Sequence, residues 1–242
     1  MTKILTNPTA NSKISKSIKK GFLTYGIHLA PFNLSGFNVC ANASAGCASA
    51  CLNTAGRGRM TNIQKARIAK TKRFFSDKKL FLQQLSKEIK SAIKSADKKQ
   101  MIACFRLNLT SDLPWEAIKL DGLSLMETFP DVQFYDYTKS FKRAKKFADG
   151  EMPKNYHLTF SRSECNDNLC DILKDLGVNI ATVFRNSLPA TYKGLPVVDG
   201  DETDLRFLDG ESKIIGLVAS LLPDIILLTL FFHTQHCPRI II

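Results

Sequence analysis

The sequence has no G-x-x-x-x-G-K-[ST] phosphate loop, no G-x-S-x-G elbow and no H-x-H pair. Those absences set aside P-loop nucleotide hydrolysis, α/β-hydrolase chemistry and the metal-dependent nicking of rolling-circle initiators. No tandem repeat or low-complexity tract interrupts it. The start, "MTKILTNPTANSKISKSIKK", lacks the long apolar segment of a secretory signal, so the chain is expected to remain in a reducing cytoplasm. There, clustered cysteines more often hold metal than form disulfides. Acid is also scarce: 22 Asp and Glu stand against 34 Lys and Arg, a formal charge of +12. That balance favours anionic partners, nucleic acid among them, without specifying a fold.

What is present suits an ordinary globular chain, since 44% of the 242 residues are hydrophobic and 9% aromatic, enough to bury a core. The basic charge is concentrated in two places. Lys13, Lys16, Lys19 and Lys20 crowd a polar lead over residues 1–20, read as a basic tail, and a second block runs from Arg57 to Lys99. "GFLTYGIHLAP" reads as a first strand closed by Pro31. "TNIQKARIAKTKRFF", with Thr61 as its cap, and a segment starting at Ser76 read as two basic amphipathic helices. If these track phosphates, Arg57, Arg59, Lys65, Arg67, Lys70, Lys72 and Arg73 are the expected contacts. A solvated basic face is the plain alternative.

A strand-and-helix rhythm follows. Strands are expected near residues 102, 132, 155 and 179, with "PWEAIKLDGLSLMETF" an irregular helix begun by Pro114. "SFKRAKKFADG" and "CDILKDLG" read as short helices ended by Gly150 and Gly177. "LPVVDG" and "TDLRFL" suggest further short strands. Alternating strand and helix imply βαβ units. The expected fold is therefore α/β over residues 21–216, a partial (βα)6-type barrel or an open mostly parallel sheet, with a doubly wound sheet as the competitor. Residues 217–242 are atypically hydrophobic. Pro223 and Asp224 interrupt them, and the clean run Ile225 to Phe232 is far shorter than the ~20 residues a bilayer requires, so a membrane span is not expected. A buried closing helix, or an ending read in another frame, fits better.

Ligands of parallel sheets gather beyond the carboxyl ends of the strands, and this chain is polar at each of those points. The first strand leads into "FNVCANASAGCASACLNTAGRGRMT", where Cys40, Cys47 and Cys51 are spaced C-x6-C-x3-C among small residues with no large core to bury thiols. Such a loop can wrap three sulfurs around a soft cation or a cluster. An iron–sulfur cluster, zinc and no metal at all remain open, with His28 the nearest candidate for a fourth zinc ligand. A [4Fe-4S] cluster on three cysteines leaves one iron open. At the same expected edge, Asn108, Ser111, Asp112, Lys139, Ser161 and Arg162 would meet the polar groups of a cofactor or of an unidentified small-molecule substrate. Cys104, Cys165, Cys170 and Cys237 read as buried or incidental thiols, and His157 as a core histidine. "AGRGR" offers glycines and arginines to an anion just before a helix, or simply a turn.

The segments "CANASAGCASACLNTAGRG", "RLNLTSDLPWE", "FYDYTK", "YHLTFSRSE" and "VVDGDETDLRFLD" occur in this order. Together they resemble the phage gene product 88 family, from about Gly21 to Gly216. The resemblance implies a protein of bacteriophages or related mobile elements, acting in the cytoplasm of a phage-carrying bacterium. Past Gly216 the chain departs from the Lys/Gly-rich ending usual in that family. In layout alone the chain is similar to radical S-adenosylmethionine enzymes, which place a three-cysteine loop after the first strand of a partial barrel. That likeness implies a [4Fe-4S] cluster with S-adenosylmethionine on its open iron. The cysteine spacing differs from the usual C-x3-C-x2-C, and no Gly-Gly-Glu-type segment follows the second strand.

Overall fold

The alternation of strand and helix resolves into one open sheet flanked by helices, in a computed structural model that describes residues 2–49, 51–54 and 56–219. The stretch from residue 220, with its expected closing helix, lies outside the described residues. In chain order the elements are α1 (Ser12–Ser15), β1 (Phe22–Gly26), α2 (Ala45–Ser49), α3 (Thr61–Ser76), α4 (Lys78–Asp97), β2 (Ile102–Arg106) and α5 (Leu125–Thr128). They continue with β3 (Gln133–Thr138), α6 (Phe141–Ala148), β4 (Tyr156–Ser161), α7 (Asp167–Asp175), β5 (Ile180–Phe184), β6 (Thr191–Tyr192), β7 (Leu195–Asp199) and β8 (Ile214–Val218). The sheet order is β1-β2-β3-β4-β5-β8-β7-β6, parallel throughout except for the β6–β7 hairpin. β1 is an edge strand and the order climbs from it without reversing through β5, so the doubly wound alternative falls away.

The two faces of the sheet differ in chemistry. Phe105, Phe134, Tyr156 and Leu158 pack with Phe81, Leu82, Leu85 and Ile89 of α4, and Phe160, Ile180 and Ile214 pack with Ala144 of α6 and Leu173 of α7. The alternate residues, Cys104 and Tyr135, meet Leu205 and the rings of Phe22 and Phe207 on the opposite face. Successive side chains of a strand point to opposite sides, so the helices cover one face and the segment around 203–208 covers the other. That segment was expected as a strand from "TDLRFL". It forms a 3-10 turn at Arg206–Leu208 instead, because its apolar residues cap the sheet face rather than pair with an edge.

Several boundaries move for local reasons. Thr61 is the first helical residue of α3 rather than its cap, and Met60 holds the cap position without a side-chain bond. α4 begins after Asp77, whose carboxylate accepts from the Leu80 amide at 2.9 Å, because Ser76, where the segment was expected to start, is still the last residue of α3. The helix expected from Pro114 splits into a 3-10 turn, Trp115–Ala117, and the one-turn α5, because the Ser124–Glu127 capping box restarts the helix there. α6 and α7 are followed by Gly150 and Gly177 at φ 74° and 84°, as the sequence suggests.

The polar lead is packed, not loose. Ile4 and Ile14 are fully buried, and Thr6 bridges antiparallel to Gly26 at the outer edge of β1. Glu88 of α4 accepts from the amides of Ile4 and Leu5 at 2.8–3.1 Å, and Lys70 donates to the Ile4 carbonyl at 2.7 Å. Replacing Glu88 by Ala strands two amides against the core, so we expect a loss of about 2 kcal/mol, read as a lowered urea midpoint with an unchanged slope.

Candidate ligand site at the carboxyl edge of the sheet

Because β1 to β5 run parallel in order, the loops leaving their carboxyl ends lie side by side. The first is the cysteine loop. Val39 is buried and its carbonyl accepts from the Asp112 amide at 2.8 Å; Phe37 stacks on Phe75 of α3 with centroids 4.3 Å apart. The β1 end is glycine by necessity, since a Cβ on Gly26 would lie 2.5 Å from the Arg106 carbonyl oxygen.

Cys40, Cys47 and Cys51 are all free thiols, Cys47 exposed and the other two half-buried. Burial pushes the Cys40 thiol up to about 11, and the charges of Cys51, Asp112 and Cys47 add to that rise. Cys51 is raised by burial and then by Cys47, with Arg67 acting the other way. Cys47 thus acts on both Cys40 and Cys51, and Cys51 on Cys40. Among the described residues, no group of three His, Cys, Asp or Glu has the geometry to hold a metal ion. His28 is occupied elsewhere: its ring nitrogens bond Thr6 Oγ1 at 3.0 Å and Asn11 Nδ2 at 3.3 Å, and burial with Arg67 and Lys70 nearby holds it neutral, at about 3.

The short helix α2 buries none of its residues. What ties it to the body is Glu164, in the loop after β4, which accepts from Ser44 Oγ at 2.8 Å and the Gly46 amide at 2.7 Å. Burial works against that carboxylate's charge, yet its hydrogen bonds from backbone amides and Ser44, with Lys139 nearby, hold it below the usual carboxylate range. A Cβ on Gly46 would lie 3.0 Å from the Glu164 carboxylate, so a larger residue there would push that side chain aside and loosen the tie.

The expected cofactor-contacting residues separate into two groups. Asn108, Ser111 and Asp112 belong to an internal network. Asn108 Oδ1 accepts from Ser111 Oγ, the Leu113 amide and Trp115 Nε1 at 2.7–3.1 Å. Asp112 accepts from the Lys139 amide at 2.9 Å and Arg143 at 2.5 Å. Arg143 also grips both oxygens of Glu116 at 2.8 and 2.9 Å and donates to Tyr156 Oη at 2.8 Å. Ser161 offers its carbonyl to Asn166 Nδ2, and Arg162 pairs with Asp167 at 2.6 Å. The side chains of Lys139 and Ser161 are not drawn into that network, and Lys139 lies near enough to Glu164 to lower it.

The expected nucleic-acid contacts divide as well. Lys65 and Lys72 are exposed, as are Arg57 and Arg59, the latter donating to the Thr54 carbonyl. Arg67 binds Asn53 Oδ1 at 2.5 Å, Lys70 holds Ile4, and Arg73 reaches Gln84 and the Thr2 carbonyl. These last three fasten the chain's start and the cysteine loop. Lys70 is lowered to about 8, chiefly by burial.

Two buried acids were not foreseen as a pair of environments. Asp136 accepts from the Asn108 amide at 2.8 Å and Tyr156 Oη at 2.9 Å, yet burial pushes it up to about 7. Asp204, equally buried, is held below the usual range: burial opposes its charge, but Arg106 at 2.7 Å and Lys13 at 3.5 Å outweigh it. No local pattern marks either one: Asp136 pairs in register with Leu158, and Asp204 meets Arg106 only through the fold. His157 is half-buried with its Nε2 unpartnered, and burial and Arg206 hold it at about 4.

A family model described as Gene product 88 matches residues 3–221. No curated protein and no solved structure matches the chain. No helix among the described residues is long and apolar enough to cross a membrane.

The raised Asp136 gives a signed pH dependence. Between the unfolded carboxylate's ~3.9 and about 7 the folded state keeps a proton the unfolded chain has lost. Stability should therefore fall as pH rises through that window and level off above it. Asp136→Asn should flatten this part of the profile in urea titrations at stepped pH; an unchanged slope means another group carries it.

Proposed function

The chain belongs to the gene product 88 family, and from that premise we propose that it is a phage or mobile-element protein of the host cytoplasm that holds a [4Fe-4S] cluster on Cys40, Cys47 and Cys51. The single observation behind this reading is three free thiols on one loop, at the carboxyl edge of the sheet, with Cys51 and Cys47 near enough to raise Cys40. The donor set suits a soft metal. Bringing the sulfurs together requires movement of a loop whose short helix buries nothing and hangs on the Glu164 tie.

With S-adenosylmethionine on the open iron, a bound cluster would supply one-electron reduction and radical formation. The residues of this chain would do the rest. Lys139 and Ser161 would meet polar groups of the cofactor or substrate, while Asn108, Ser111 and Asp112 fix the loop shape and Arg162 braces the β4 exit against Asp167. The raised Cys40 thiol must lose its proton on ligation, so loading should strengthen with pH.

Anaerobic reconstitution with iron and sulfide should give a brown protein with about four irons per chain, the complement of a [4Fe-4S] cluster. Cys47→Ala should remain folded, because Cys47 is exposed, but lose the colour and the iron. A colourless chain carrying stoichiometric zinc would defeat the reading in favour of a structural loop.

A second reading, nucleic-acid binding without catalysis, has its own support. Lys87, Lys90, Lys94 and Lys98 are exposed at spacings of three and four along α4, which sets them on one face, and none is ion-paired with an acid among the described residues. Affinity for DNA and RNA oligonucleotides, followed by anisotropy, should then fall steeply with salt. Changing the four lysines to Gln should reduce the log–log salt slope by about three; negligible binding at low salt removes this reading.

A further inference from the structure

The chain's charge is divided along its length. Asp77 is the first acidic residue, and from there on 22 Lys and Arg match all 22 Asp and Glu, so the whole formal charge of +12 belongs to residues 1–76. Part of that charge is engaged inside the molecule. Lys13 and Lys20 pair with Asp204 and Glu202, and Arg67, Lys70 and Arg73 bond Asn53, Ile4 and Gln84. Arg57, Lys65 and Lys72 are exposed, and none of the three is ion-paired with an acid among the described residues. Lys65 and Lys72 stand two turns apart on one line of α3, about 10 Å along its axis, and Arg57 leads into the helix. Asp77, just past the end of α3, has its carboxylate taken by the Leu80 amide.

Beside that line the structure sets an aromatic ring at the surface. Phe75 follows Lys72 by three residues, which makes the two neighbours on the helix, and Phe37 lies flat on Phe75, with centroids 4.3 Å apart and planes 6° from parallel. Phe75 in turn packs edge-on against Phe74, and Phe74 against Phe81 and Trp115 in the core. The outermost ring is thus held by a column of rings rooted in the interior. Phe37 is still 41% exposed, with one face covered by Phe75 and the other turned outward. Its loop is closed by the Val39 amide donating to the Phe32 carbonyl, and the Ser35 hydroxyl meets the Phe37 backbone.

We propose that this flank of α3 binds single-stranded nucleic acid, with one base stacked on Phe37 and neighbouring phosphates on Lys72, Lys65 and Arg57. An unpaired base has a free face to continue the ring column, whereas the bases of a duplex cover one another. The cations supply the phosphate contacts and the ring accepts any base, so recognition is tolerant of sequence. The proposal rests on the second reading above, that the chain binds nucleic acid; it names the strand class and uses none of the α4 lysines.

The probes are a labelled oligothymidylate of about 16 nucleotides and a duplex of the same length, followed by anisotropy. The parent should bind the single strand more tightly than the duplex. Phe37→Leu leaves an apolar group on Phe75 but no ring, and should lose at least about fivefold in single-strand affinity at every salt concentration with the salt slope unchanged. Phe37→Tyr keeps the ring and should keep the affinity. Lys65→Gln/Lys72→Gln should instead lower the log–log salt slope by about one to two. Circular dichroism checks the fold of each variant. Parental affinity in Phe37→Leu, or a preference for the duplex, overturns this proposal and leaves the second reading standing. A parent dimer that Phe37→Leu dissolves assigns the ring to a second copy and overturns it too; no binding of either probe at low salt removes both readings.

Discussion

One guanidinium holds the carboxyl edge together. Arg143, on α6, reaches back across the sheet's loops to Glu116, Asp112, Thr138 and Tyr156. Burial opposes its charge, but Tyr156, Glu116 and Asp112 more than compensate and keep it protonated. Asp112 in turn carries the Lys139 amide and, through its own amide, the Val39 carbonyl just before Cys40. The cysteine loop therefore stands on a buried ion cluster whose members come from three different segments. Removing one partner of such a cluster leaves an uncompensated charge, which is far worse than removing a surface pair.

The fold's plan was legible where local chemistry and tertiary packing agree. Strands β1 to β5 and β7 and helices α6 and α7 lie where alternating apolar residues, caps and glycines place them. "TDLRFL" was misread because its alternation is real but serves a different geometry: Leu205 and Phe207 point at a sheet face, and Arg206 turns into the interior. Arg67, Lys70 and Arg73 looked like a solvated basic stripe. Nothing in the helix itself announces that the backbone carbonyls of Ile4 and Thr2 will arrive opposite Lys70 and Arg73, or Asn53 opposite Arg67. Side-chain direction on a helix flank is decided by the partner, which for Lys70 and Arg73 lies 66 and 71 residues away.

The candidate site was partly legible in the same sense. Strand order alone places the strand-end residues along one edge, where Asn108, Ser111 and Asp112 join one network while Ser161 and Arg162 bond Asn166 and Asp167 instead. Their roles did not follow. A side chain at a strand's carboxyl end can face a ligand or stitch its own loop, and Asn108 with its full complement of bonds does the second. The polar far side of β2–β4 was harder to see. A buried Arg, Tyr or Thr at alternate positions reads as amphipathic alternation facing water unless a distant segment is known to close over it.

The antiparallel contact of Thr6 with Gly26 reaches past packing. An unpaired border strand is an invitation for a second molecule to add on and propagate. In this chain Thr6 meets the β1 border at its last residue, Gly26, and the opposite border ends in a strand of two residues turned antiparallel. Loss of the Thr6 bridge would free the Gly26 carbonyl, the first acceptor on which an incoming strand would begin to pair.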